Sequence, residues 1–154
     1  MLEKVFQDFG INFEIEQQEN APVKLQKLFN NEIQNIDPIL FDYYQKLSKN
    51  FNSSYFILKT IQKSKLRIVG YARIVEDDFY WNIYELFIKK NFRELGLGTK
   101  IFEFIIDIAQ KNNCEIRSFA LPSDRQAKNF YESNAITAKV LIMEKKRENN
   151  RYRP

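Results

Sequence analysis

A chain of 154 residues has the length of one ordinary domain and enough material for a real core. Hydrophobic residues make up 44% and aromatics 15%, with four Gly and four Pro, which excludes a disordered or linker-rich chain; the net charge of +4 is too small a bias to mark a nucleic-acid binder by itself. With no histidine and one cysteine, Cys114, the sequence excludes Ser-His and Cys-His nucleophilic pairs, most zinc sites and any intrachain disulfide, and it fits a reducing compartment.

Residues 1–16, MLEKVFQDFGINFEIE, carry charges throughout and lack a signal-peptide core. No apolar run approaches the ~20 residues of a membrane span, so a soluble, cytoplasmic protein without membrane association is expected. Ile11, Phe13 and Ile15 alternate with polar residues, the period of a half-buried strand. Pro22 opens a helical pattern through Leu25, Leu28, Phe29 and Ile33, which Asp37-Pro38 interrupts; a second helix carries Ile39, Leu40, Tyr43, Tyr44 and Leu47. Three segments rich in β-branched and aromatic residues follow, at 54–61, 66–75 and 79–88. The short polar turns QKSK and EDD between them predict an antiparallel meander.

Ile101, Phe102, Ile105, Ile106 and Ala109 then form one apolar helical face. Residues 114–121 read as a strand that the strand-loop-helix-strand order sets parallel to 79–88. Ser123 or Asp124 caps a helix over 125–133, and ITAKVLIMEK, 136–145, has the character of a closing strand. There is no internal repeat and no domain boundary, so residues 1–146 read as one domain. The basic tail 147–154 reads as a solvated end, with polyanion binding as its alternative.

The stretch FRELGLGTKIFEFIIDIAQ, 92–110, places Arg93, Gly96 and Gly98 directly before a helix. Glycines let a backbone approach a ligand, and the free N–H groups at a helix mouth favour an anion. The same residues also suit an ordinary tight turn before a core helix, and alone they do not separate the two. A P-loop is excluded, because Arg93 stands where its first glycine belongs and the order is Gly-Thr-Lys. A dinucleotide fingerprint is excluded too, with Ile101 at its third glycine.

ELFIKKNFRELGLGTKIFEFI resembles the central motif of the GNAT superfamily of acyl-CoA-dependent N-acyltransferases: a strand, a short loop, Arg-x-x-Gly-x-Gly and an apolar-faced helix. DRQAKNFYESNA is similar to the second GNAT signature, with Asp124 in the place of its Asn, Ala127 and Phe130-Tyr131 in agreement, and Asn134-Ala135 in place of Gly-Phe. RIVGYARI, 67–74, looks like the family's third strand. The element order read above is also the family's, over roughly residues 11 to 146. The resemblance implies a GNAT fold: α/β (α+β), with a central mixed, mostly antiparallel sheet of about six to seven strands flanked by about four helices.

It further implies acetyl-CoA as co-substrate and no metal. The pyrophosphate is expected on the amides of Arg93, Glu94, Leu95, Gly96, Leu97, Gly98 and Thr99, and the pantetheine along the backbone of Leu86, Phe87 and Ile88, with Asp124 near that arm. The family supplies donors to the developing oxyanion from backbone N–H near Phe87 or Ile88, and gives protonation of the leaving thiolate to the tyrosine that is here Tyr131. Where family members place a general base, this chain has Asn82 and Phe119, neither of which is basic. Glu85 is the nearest carboxylate, but strict alternation puts it on the opposite face from Asn82, Tyr84 and Leu86 unless a bulge re-aims it. Otherwise Asn82 and Tyr84 hold a water that relays the proton. The resemblance implies a primary amine of a protein, peptide or small molecule as the acceptor, with RNA as a weaker alternative resting on the tail; a non-catalytic acyl-CoA-binding or interaction module is the rival reading. The chain is expected to act as a monomer or homodimer.

Overall fold

The computed structural model describes residues 3–145. Six strands form one sheet in chain order: β1 (Glu3–Asp8), β2 (Ile11–Gln18), β3 (Ser54–Gln62), β4 (Lys65–Glu76) and β5 (Tyr80–Ile88) are antiparallel neighbours, and β6 (Glu115–Ser118) joins β5 in parallel. Helices α1 (Val23–Ile36) and α2 (Phe41–Lys46) connect β2 to β3; α3 (Leu97–Lys111) crosses from β5 to β6, and α4 (Arg125–Ser133) follows β6. The expected meander, crossover and last helix are all present. β1 is an addition, because its turn uses Phe9 (φ 51) and Gly10 (φ 70), and phenylalanine is not a residue that signals a left-handed turn. Lys63 and Ser64 make the same kind of two-residue turn between β3 and β4 (φ 51 and 63).

The two faces of the sheet carry separate cores. On one, Leu25, Phe29 and Ile33 of α1 and Tyr44 of α2 pack on Ile57, Tyr71 and Phe87. On the other, Leu97, Ile101, Phe102 and Ile105 of α3 and Tyr131 of α4 pack on Phe56, Leu58, Ile74 and Ile83. Both helices obey the i, i+4 spacing read in the sequence, which delivers one apolar stripe to the sheet. Leu28 falls outside its stripe and is 45% exposed.

The expected closing strand is not formed within the described residues. The chain leaves α4 through Ala135 in the left-handed region (φ 66), with Ile136 N donating to Tyr131 O at 2.9 Å. It then runs without strand pairing, and Val140, Leu141, Ile142 and Met143 stay exposed. Strand composition supplies propensity, but a strand exists only where an edge accepts it. The basic tail lies outside the described residues.

One close approach in the sheet is directly testable. A Cβ on Gly70 would stand 2.9 Å from the carbonyl oxygen of Phe87 and 2.6 Å from Ile88 Cδ1, and the first of these is backbone in a paired strand. Gly70→Ala is expected to lower unfolding free energy by about 1–3 kcal/mol, read from the denaturation midpoint.

Candidate active site

The site begins with a break in the alternation of β5. Trp81 and Ile83 face α3, and strict alternation would put Glu85 and Phe87 there too. Instead Phe87 packs with α1, while Leu86 and Ile88 pack on the α3 side. The switch is a bulge at Tyr84: Val75 pairs with Asn82 and Ile74 with Ile83, but Arg73 pairs with Glu85. Consecutive carbonyls thereby find partners toward β6. Ile83 O accepts from Phe119 N at 3.1 Å, and Tyr84 O accepts from the Tyr44 hydroxyl, which also lies 3.3 Å from Phe119 O.

β6 pairs with β5 only as far as Ile83 and Ser118. Beyond that point the strands part, and a cleft of ≈ 300 Å³ opens between Leu86, Phe87 and Ile88 on one wall and Asp124, Gln126, Ala127, Phe130 and Tyr131 on the other. Its far end is closed by Arg93, Glu94, Gly96, Leu97, Gly98 and Thr99, and its α1 side by Phe29, Glu32 and Ile33. Of the residues expected to hold a cofactor, Leu95 alone does not line the cleft; it packs against the α3 core.

Gly96 is the N-cap of α3, in the left-handed region (φ 75), and no side chain caps the helix. Lys100 N makes the first intrahelical bond, to Gly96 O, so the amides of Leu97, Gly98 and Thr99 are the open donors at the cleft end. Gly96 is needed for its φ, since a Cβ there would meet nothing within 4 Å. Gly98 has a different reason: its Cβ would lie 3.2 Å from the Phe130 ring, so it brings α3 and α4 together.

The Arg93 side chain is engaged within the protein. Nε donates to Ile88 O at 2.8 Å, and Nη1 and Nη2 grip Glu32 of α1 at 3.1 and 2.7 Å. A carboxylate already within bidentate reach takes the guanidinium's fork, which the sequence could not show because Glu32 lies 61 residues away. Asp124 also finds a local function: it caps α4 by accepting from Ala127 N at 3.1 Å, and burial raises its carboxyl above the usual range.

Tyr131 lines the cleft with its ring among Phe102 and Phe130, and its hydroxyl has no hydrogen-bond partner among the described residues. Burial, with a smaller contribution from the Asp124 charge, pushes the phenol well above the ordinary tyrosine value.

Glu85 and Asn82 lie outside this cleft. The bulge turns Glu85 to the α1 face, where it is 5% exposed and receives Tyr71 Oη at 2.6 Å, Arg73 Nη1 at 3.1 Å and Gln26 Nε2 at 3.2 and 3.3 Å. Arg73 is in turn held by the Ser48 hydroxyl and carbonyl and by Ser53. Asn82 is a clamp at the base of the strands: Nδ2 donates to Val75 O and Asp77, and Oδ1 accepts from Arg117 at 2.8 Å. With its amide so engaged and 3% exposed, it is not placed to hold a catalytic water. Sequence reading missed Gln26, Tyr71 and Arg73, although a cross-strand Arg-Glu pair was the available signal once the bulge is allowed. Beside Glu85 lies a second, more polar pocket of ≈ 400 Å³, lined by Gln26, Asn30, Asp42, Gln45, Tyr84 and Arg73 among others, and it shares Phe29 with the cleft.

The sheet thus splays next to an uncapped helix N-terminus, with a tyrosine on the opposite wall. A model of the Acetyltransferase (GNAT) family matches residues 18–135, and the chain belongs to that family. No curated protein matches it. Among solved structures it is similar to a putative acetyl transferase from Pyrococcus furiosus (20% identity, TM-score 0.65, 87% of this chain and 99% of that one). It is also similar to a tetramutant of the BH1408 protein from Bacillus halodurans (17%, 0.63, 86% and 98%). A third is the aminoglycoside N-acetyltransferase AAC(6')-Iy with the bisubstrate analog CoA-S-monomethyl-acetylneamine (14%, 0.58, 88% and 98%). At these identities the likeness is one of fold. Among the described residues no helix is long and apolar enough to cross a membrane.

The Arg93–Glu32 pair carries a prediction. Its two side chains are 22% and 27% exposed at the cleft mouth, so a cleft that accepts a polyanion holds one negative charge against it. Glu32→Gln frees the guanidinium and removes that charge. CoA affinity should rise about three- to tenfold, with a larger gain at low salt, as measured by titration calorimetry.

Proposed function

We propose that the protein transfers the acetyl group of acetyl-CoA to a primary amine by direct attack in a ternary complex. The observation that carries this reading is the splayed β5–β6 cleft, which has unpaired strand backbone along one wall, open α3 amides at one end and the Tyr131 hydroxyl within it. Each feature fits a part of an acyl-CoA. The amides of Leu97, Gly98 and Thr99 suit the pyrophosphate, the backbone of Leu86 and Phe87 suits the amide-bearing pantetheine, and the apolar faces of Phe87 and Phe130 suit its methylenes. The bound thioester supplies the activated acyl carbon; the chain positions it, keeps bulk water from it and holds a proton on Tyr131 for the departing sulfur.

The polar pocket beside Tyr84 is the acceptor side. Its ≈ 400 Å³ favours the amine of a small polar molecule over a folded protein surface, in keeping with the aminoglycoside analog bound by AAC(6')-Iy. The amine loses its proton to water in this solvent-open pocket, because all the Glu85 hydrogen bonds are committed to Tyr71, Arg73 and Gln26. Glu85 therefore shapes the acceptor pocket rather than taking the proton.

Titration calorimetry with acetyl-CoA and CoA tests the seat. Gly96→Glu is the informative variant: its side chain has open space, the left-handed φ costs only about 1–2 kcal/mol, and the new carboxylate stands where the pyrophosphate would lie. Affinity for both ligands should fall at least about 10²-fold, on the order of 3 kcal/mol for a like charge against phosphate. A folded wild type that binds neither ligand would sink the reading and leave the interaction-module alternative.

A further inference from the structure

We infer that Tyr44 is the acyl-length stop of this enzyme, the residue that admits acetyl and rejects longer acyl groups. The inference rests on the cleft being the acyl-CoA seat. Along β5 the cleft wall runs from Ile88 through Leu86, and the next carbonyl toward the apex of the splay, that of Tyr84, is already occupied by the Tyr44 hydroxyl. The same hydroxyl lies 3.3 Å from Phe119 O, so one phenol spans the point where β5 and the chain beyond β6 separate. Tyr44 is 8% exposed and its ring is packed against Phe29, the residue common to the cleft and the polar pocket. Tyr44 itself lines the polar pocket, and Phe29 carries its contact to the cleft.

This arrangement leaves little depth beyond the sulfur. A chain entering from the α3 end and placing its sulfur beside Tyr131 directs its acyl carbons toward the Tyr44 phenol. Acetyl ends before that wall; each further methylene must displace a buried ring that holds two backbone carbonyls. The two residues whose carbonyls the phenol meets, Tyr84 and Phe119, stack on each other with centroids 4.4 Å apart, which fixes the segment on both sides of the splay.

Binding measurements test this without knowledge of the acceptor. CoA, acetyl-CoA, propionyl-CoA and butyryl-CoA are titrated into wild type, Tyr44→Phe and Tyr44→Ala, with folding checked by circular dichroism. Wild type should bind CoA and acetyl-CoA alike and butyryl-CoA about tenfold or more weakly, the scale of overpacking a tight site. Tyr44→Ala should bring butyryl-CoA to within about threefold of acetyl-CoA while CoA itself changes little. Tyr44→Phe keeps the ring and loses only the oxygen; it should relax the limit for propionyl-CoA alone, and it serves if the alanine variant does not fold. Wild-type affinity independent of acyl length overturns the inference, as does a folded variant that binds CoA with unchanged length discrimination. Failure of all four ligands to bind wild type overturns the cofactor seat itself and the stop with it.

Discussion

Tyr131→Phe is expected to lower kcat for acetyl transfer by about 10²-fold while the acyl-CoA Kd stays within about twofold of wild type. The substitution removes one oxygen from a ring that is held among Phe102 and Phe130 and whose hydroxyl has no hydrogen-bond partner among the described residues, so folding has little to lose. The magnitude follows from the two acids involved. A thiol of ordinary pKa about 8.5 leaves fairly well unaided, and a phenol held well above 10 by burial is a reluctant proton source. In the proposed reaction Tyr131 would therefore act chiefly as a hydrogen-bond donor to sulfur in the transition state, which puts its expected value at the low end of the usual 10²–10⁴ range.

The direction of that shift fixes the pH profile. Burial disfavours the phenolate, so the protonated form persists to higher pH than in free tyrosine, above about 10. The phenol proton that the proposed reaction uses is thus present throughout the assay range. The wild-type rate should rise with pH as the acceptor amine loses its proton, with no descending limb below pH ~10. Unchanged kcat in a folded Tyr131→Phe variant would remove Tyr131 from the chemistry. Acyl-CoA binding without turnover by wild type, across a screen of amines, would favour the non-catalytic module instead.

Most of the scaffold is legible in the sequence because it depends on local periodicity. The meander, the α3 and α4 stripes and the parallel return of β6 follow from alternation, from 3.6-residue spacing and from connection length, all of which a single segment displays. Much of the cleft lining was readable for the same reason: apart from Phe29, Glu32 and Ile33 of α1, its residues come from three short segments, 86–88, 92–99 and 124–131. What was not legible depends on pairing between distant segments. Counting back from the EDD turn pairs Arg73 with Tyr84; only the bulge moves it to Glu85 and turns that carboxylate toward Tyr71 and Gln26. Glu32 reaches Arg93 from α1, and Tyr44 reaches the β5–β6 apex from α2. The 136–145 segment shows the converse, a strand-like composition that finds no edge to pair with.

Glu85→Ala should cost about 3–5 kcal/mol of folding free energy, a loss on the scale of truncating a buried aromatic core residue. The carboxylate, on β5, is 5% exposed and is the common acceptor for donors from β4 and α1. Its removal leaves the Arg73 guanidinium, with a side chain only 13% exposed, as a buried charge without its counterion, and leaves the Tyr71 hydroxyl without its acceptor. Repair from outside is limited, because the remaining Arg73 donors already hold Ser48 and Ser53. Glu85→Gln separates charge from hydrogen bonding: the amide oxygen keeps one acceptor, the ion pair is lost, and the cost should fall to about half that of alanine. Denaturant titration of the three proteins measures both. A double change, Glu85→Leu with Arg73→Met, removes both charges and should recover much of the alanine loss, as an apolar replacement of a buried ion pair often does. Recovery of stability with altered acceptor KM would show that the network shapes the polar pocket beside Tyr84 rather than serving only to hold α1 on the sheet. If Glu85→Ala unfolds at the wild-type midpoint, the carboxylate is not the buried keystone this geometry makes it.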